Sequence, residues 1–240
     1  MPLFNKKRKQ LVRERRFSDY LRYAIGEIVL VVIGILIALQ INTLNAERKN
    51  HKEWLGIIEQ VRRDMVEDTV SLHLTIQYYE EIKPMYRKLL RDSLSFEELR
   101  SCGYCRGFGM NYAPFHFKQS GFRALERAPA KARTDSLSME VLSFYNSIIE
   151  TLPDIEEKVG NDALGTNTYL RDNYPWFSDK TVFSQKLSEL QLEDPFYRNR
   201  LSFHYVLIYS NYSLFLEAVL NDERDFIERL RKRLEQEGYE

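Results

Sequence analysis

Tyr23 to Asn42 reads YAIGEIVLVVIGILIALQIN, and from Ala24 to Ile41 it is apolar apart from Glu27 and Gln40. A helix rises about 1.5 Å per residue, so this run makes a rod of roughly 27 Å, close to the roughly 30 Å hydrocarbon core of a bilayer. The stretch is expected to be one membrane-spanning helix. It divides the chain into a basic arm (1–22), a transmembrane helix (23–42) and a domain (43–240).

The residues on either side give the span a direction. Residues 1–23 hold eight Lys or Arg, among them Lys6, Lys7, Arg8 and Lys9, against Glu14 and Asp19. Basic residues in front of a first span stay in the cytoplasm, which puts the domain outside. The arm can also touch anionic headgroups, with Tyr20 and Tyr23 as interfacial anchors. A cleaved signal peptide is the rival reading. The apolar run is longer than a usual signal core, and Gln40, Asn42 and Asn45 are poor cleavage-site residues, so an uncleaved signal-anchor is expected.

The formal net charge of zero hides this asymmetry: the chain beyond residue 23 keeps 27 basic and 33 acidic residues. An acidic body argues against a nucleic-acid partner, because phosphate binding needs a basic face. With 44% hydrophobic and 29% charged residues, the domain has a real core rather than a disordered composition.

Within the span, Val31, Gly34 and Ala38 share a helical face with Glu27. Gly34 and Ala38 form a small-xxx-small pair that admits close helix approach. Glu27, about one turn inside, has three readings: a tolerated edge carboxylate, a polar contact to a partner helix, or a proton or ion relay. The candidate helix–helix contact is therefore Glu27, Val31, Gly34 and Ala38, with a partner helix or a second copy facing it.

The same stretch, preceded by FSDYLR and followed by N-x-x-N-x-E-R-K, resembles the signature of an uncharacterised bacterial family of unknown function. The resemblance implies a single-pass membrane protein with a basic N-terminus and a helical extracytoplasmic domain. It is close over residues 17–49 and looser over 112–150, where Ser120-Gly121 and Phe144-Tyr145 carry it. One departure is Leu44, where the family usually has Trp. The resemblance implies localisation and topology but no activity.

Beyond Ala46 a long helix is expected, continuous with the span. Ile58, Met65, Leu72, Tyr79 and Tyr86 recur every seven residues, with Val61, Ile76, Ile82 and Leu89 between them. Asp68 and Thr75 break the strict seam, which favours an intramolecular bundle over a free coiled coil. Pro84 is expected to kink or end this helix. Ser95 and Glu98 form a capping box. Pro114 is placed at the start of a helix, Thr134 or Asp135 as the cap of another, and Pro153 as its interruption. Residues 154–173 continue helically until NYPWF ends them, and 180–192 form another short helix. A long aromatic helix covers 195–237, with Asn221-Asp222 as a dividing point. The fold class is all-α: one N-terminal transmembrane helix leading into an extracytoplasmic helical bundle.

CGYCRGFGMNYAP (102–114) reads as a loop. Cys102 and Cys105, the only cysteines, could form a local disulfide, a redox dithiol or half a zinc site. No strand–CxxC–helix pattern supports redox chemistry, and no fourth zinc ligand lies near His116. In an oxidising compartment the default is a Cys102–Cys105 disulfide. His51, His73, His116 and His204 show no ligand spacing, and no hydrolase, phosphate-binding or dinucleotide motif occurs. No enzyme activity, cofactor or small-molecule ligand is expected. The aromatic content is high, with fifteen Tyr and fourteen Phe; the tyrosines are read as filling bundle seams with their hydroxyls toward water, against an aromatic-lined pocket or a partner surface. The leading expectation is an interaction or scaffolding protein of the bacterial inner membrane with a periplasmic domain. The alternatives are a ligand-sensing helical module and an accessory subunit of an ion-coupled complex using Glu27.

Overall fold

The computed structural model describes residues 17–239. Residues 1–16 of the basic arm, and the side chains of Tyr20 and Tyr23, lie outside the described residues. Every regular element described is helical: α1 (Phe17–Leu90), α2 (Phe96–Ser101), α3 (Ser120–Glu126), α4 (Ala130–Arg133), α5 (Ser136–Asn173), α6 (Phe183–Glu193), α7 (Pro195–Val206) and α8 (Ser213–Gln236). Short 3-10 turns sit at Cys105–Gly107 and Pro175–Ser178, and a π-helical turn at Leu207–Tyr212 joins α7 to α8. The chain forms two compact units, Met1–Glu53 and Trp54–Glu240.

In the first unit, α1 carries an 18-residue window of mean hydropathy 2.6, none of it buried, so this helix is long and apolar enough to cross a membrane. Its large side chains, from Ile25 through Ile41, are exposed on every side.

In the second unit, α1 buries one stripe. Ile58, Val61, Met65, Leu72, Tyr79, Ile82, Tyr86 and Leu89 are all buried, the three-and-four spacing legible in the sequence. Its lower part, Trp54 to Met65, packs with Phe122 and Leu125 of α3, the start of α5 and Phe226 to Leu234 of α8. Its upper part, Leu72 to Leu89, packs with α2, the later turns of α5, α6, α7 and the π-helical turn. Full burial of each such side chain contributes about 1.5–3 kcal/mol.

Three prolines and a dipeptide behave otherwise than their local chemistry suggests. Pro84 lies inside α1, which continues to Leu90; Pro153 lies inside α5, which runs unbroken to Asn173. A proline removes one helical bond, but Tyr86 and Leu89 after Pro84, and Val159 and Leu170 after Pro153, still anchor the following turns in the core. Pro114 starts no helix: residues 111–119 are irregular. Their N–H groups are taken by carboxylates from elsewhere, Glu156 at Phe115 (2.9 Å) and Asp68 at Lys118 (2.9 Å), so the backbone there has partners without coiling. Asn221-Asp222 divides nothing, because α8 passes through it.

The real irregularity comes earlier. The buried stripe of α7 runs Tyr197, Leu201, His204, Ile208; it resumes as Tyr209, Tyr212, Leu216, Val219, Glu223, Phe226, Leu230, Leu234. The stripe slips by one residue at 208/209, which is what one wide π-helical turn does to the face of a helix.

Two local caps are as the sequence implies. Ser95 and Glu98 form the capping box of α2, and Asp135 caps α5 by accepting from Leu137 N (3.1 Å) and Ser138 N (3.4 Å). Arg198 ties two helix ends together: its guanidinium donates to the carbonyls of Leu90 (3.3 Å) at the end of α1 and Gln191 (3.3 Å) in the last turn of α6. A cation there also suits the negative ends of both helix dipoles.

Candidate functional site

Three places carry the polar or exposed groups from which a function could be built. The first is the span. Glu27, Val31, Gly34 and Ala38 are all exposed, and a Cβ built on Gly34 would meet nothing within 4 Å. The face is smooth and open at Gly34, the geometry that lets another helix backbone come close.

The second is the loop after α2. Cys102 and Cys105 are joined by a disulfide, with Cα atoms 5.4 Å apart. Both residues are buried in the core, and Gln191 Nε2 donates to the Cys105 carbonyl at 3.0 Å. The bond pins the loop. Closing so short a loop is worth about 2 kcal/mol of unfolded-state entropy. Replacing both cysteines by Ser should therefore lower stability by about that amount in a urea titration, the same loss that reductant causes in the unaltered protein.

The loop also forms one wall of a cleft with Tyr79, Tyr86, Phe108, Tyr112, His204 and Tyr209. Its enclosed room is only about 20 Å³, one water's worth. Four tyrosines at and beside the cleft bond inward rather than to solvent. Tyr86 donates to the Leu201 carbonyl (3.0 Å), Tyr209 to the Tyr79 carbonyl (3.0 Å) and Tyr212 to the Ala113 carbonyl (2.9 Å), while Tyr79 accepts from Ala113 N (2.8 Å). Burial pushes their ionisation up, so they stay neutral donors. At the base, His204 Nδ1 lies 2.8 Å from Asp162 Oδ2, both side chains largely buried. Asp162 fixes the ring's orientation and leaves Nε2 as the nitrogen with no protein hydrogen bond among the described residues. As it stands, the cleft is a lattice of tyrosines stitching α1, α7, the π-helical turn and the irregular segment 111–119 together through backbone groups.

The third place is a set of carboxylates buried where α1, α3, α5 and α8 meet. Asp64 Oδ2 accepts from Gly121 N at 2.7 Å, and its Oδ1 from Gln60 Nε2 at 2.7 Å. Asp68 accepts from Lys118 N with both oxygens (3.2 and 2.9 Å). These two residues, one turn apart on α1, clamp the segment leading into α3. Gly121 fits the clamp because its Cβ position is only 2.5 Å from Val61 N and 2.6 Å from Val61 Cα. Opposite them, Glu223 occupies a seam position of α8, is wholly buried, and has a hydrogen-bond partner on neither carboxylate oxygen. The Tyr145 hydroxyl is likewise buried and unpartnered. Burial, and then the nearby Asp68, push the Glu223 carboxyl up to about 9. Burial, with Asp64 and Glu67 adding to it, pushes Asp68 up to about 7 against the opposing pull of the Lys118 N–H and charge. Among the described residues, no group of three His, Cys, Asp or Glu could hold a metal ion.

Residues 27–102 match the model of a family of unknown function, DUF6090. The matched part takes in most of the apolar span, the buried stripe of α1 with both clamp aspartates, and all of α2, and stops at Cys102. No curated protein and no solved structure matches the chain.

Sequence reasoning anticipates the Cys102–Cys105 bond and misses the carboxylates and the His204–Asp162 pair. Asp68 is visible as a polar break in the α1 seam, but its meaning depends on Lys118, 50 residues away. Glu223 was legible in principle as a charge at a periodic apolar position. The slip at the π-helical turn hides that periodicity.

Proposed function

We propose that this chain is a single-pass protein of the bacterial inner membrane, with its N-terminus in the cytoplasm and its helical domain in the periplasm. It acts by association, through its span and its domain, rather than by catalysis. The observation that supports this reading is the apolar window of α1, of which nothing is buried. An exposed apolar surface of that size in water is strongly unfavourable, at about 25 cal/mol per Å². Lipid or another apolar helix is the natural cover. The basic residues ahead of it favour the inward N-terminus, and Gly34 with Ala38 supplies a surface for a neighbouring helix.

Cross-linking the full-length protein in native membranes, followed by co-purification, tests the association. A discrete homo-oligomer or a defined partner is expected, and Gly34→Leu should reduce the cross-linked species several-fold while leaving the protein membrane-bound. A chain that is monomeric and partnerless, and indifferent to Gly34→Leu, removes the basis of the proposal.

A further inference from the structure

We propose that Glu223 is a proton-operated clasp: α8 docks on α1 with this side chain as a neutral carboxylic acid, and loss of its proton loosens the seam between the two helices. The proposal stands on geometry and does not depend on the role proposed for the span.

Glu223 lies on the buried stripe of α8 between Val219 and Phe226, where every other position but itself is apolar down to Leu234. Both its oxygens are buried and without a partner. Neutral, the group leaves unmet hydrogen-bonding capacity, a modest cost for a buried hydroxyl and carbonyl. Ionised, it would be an unpaired charge in the core, a far larger one. The charged and titratable groups facing it sharpen the contrast. From α1 come Asp68 and, behind it, Asp64 and Glu67; from α5 comes the neutral hydroxyl of Tyr145. Lys118, a cation bordering the cluster, is turned to Glu67, with Nζ 2.6 Å from Oε2, and its backbone N–H serves Asp68. Glu223 is therefore surrounded by acids and an undissociated phenol, with no countercharge directed at it among the described residues.

The direction of the pH effect follows. Folding raises the Glu223 carboxyl from 4.5 to about 9. Between these values the folded state holds a proton that the unfolded state has released. Rising pH therefore favours the unfolded or opened state, and the stabilisation is complete only below the lower value. Asp68 acts in the same sense, but its folded value is about 7, so it ceases to contribute above neutrality. Above about pH 7.5 the histidines are also past their ordinary range. A window between pH 7.5 and 8.5 isolates Glu223.

The test is urea unfolding of the full-length protein in detergent micelles across that window, followed by tryptophan fluorescence. Trp54 is a suitable reporter because it belongs to the same core region as Phe226, Leu230 and Leu234 of α8. The unfolding equilibrium constant of the unaltered protein should rise up to tenfold between pH 7.5 and 8.5, the limit set by one proton. In Glu223→Gln it should stay constant within twofold. If the buried amide prevents folding, Glu223→Leu serves, because an apolar isostere belongs on that stripe and should give the same flat profile. A pH-independent wild type, or a variant that keeps the wild-type slope, overturns the proposal.

Discussion

Gly121→Ala should lower the stability of the helical unit by about 3 kcal/mol or more, an unusually large effect for adding one methyl group. The added Cβ would stand 2.5 Å from Val61 N and 2.6 Å from Val61 Cα. These are backbone atoms in the middle of α1, so no side chain can swing aside to make room. The segment must lift off α1, and lifting it breaks the 2.7 Å bond from Gly121 N to Asp64 Oδ2. Asp64, almost fully buried, then loses its backbone partner, which adds the desolvation penalty of a charged acceptor to the steric one. Thermal unfolding followed by circular dichroism should show a drop of about 6–12 °C for a unit of this size. Gly165→Ala is the control. That glycine sits within α5, and its Cβ position has nothing within 4 Å. There the same methyl group should stabilise by about 0.5–1 kcal/mol through helix propensity alone. Equal effects at the two positions would refute the close-approach argument.

The contrast between these glycines marks how far the sequence can be read. Periodicity places the buried stripe of α1, because each of its contacts obeys the same three-and-four rule whatever lies opposite. It places α5, α6 and the α7–α8 region for the same reason. It misreads Pro114, Pro153 and the possible end of α1 at Pro84, where local preference is one small term against tertiary packing. A helix held by Tyr86 and Leu89 tolerates a lost bond, whereas residues 111–119, whose N–H groups find Asp68 and Glu156, have no need of a helix. The clamp is not legible at all. Asp64 and Gly121 are 57 residues apart, and neither carries a local mark of the other. The same holds for His204 and Asp162, 42 residues apart. Tyrosine hydroxyls show the limit from another side. Their expected outlet was water; their actual partners are carbonyls such as Tyr79 and Leu201, set by which helix lies across the seam.

Placing arginine at both Ile33 and Leu36 should detach the chain from membranes. The two positions lie near the middle of residues 23–42, one turn or less apart. Each arginine costs about 2.5–3.5 kcal/mol at a span's centre on insertion scales, against a gain of a few tenths for the residue it replaces. The pair therefore removes about 6 kcal/mol, some four powers of ten in an insertion equilibrium. Snorkelling offsets only part of this cost: an arginine at 33 lies about 14 Å from the nearer end of the span and one at 36 about 9 Å, further than the side chain reaches without thinning the bilayer. The helical unit beyond Trp54 should be untouched, since its core holds no residue from this stretch. Alkaline carbonate extraction gives the measurement. The unaltered chain should stay in the pellet and the double variant should pass to the supernatant, with an unchanged thermal transition in its helical unit. Glu27→Gln should leave the pellet fraction as it was, because a neutral amide near the edge of the span is no harder to insert than the acid. If the double variant sediments as completely as the unaltered chain, the apolar window is not what holds this protein to the bilayer.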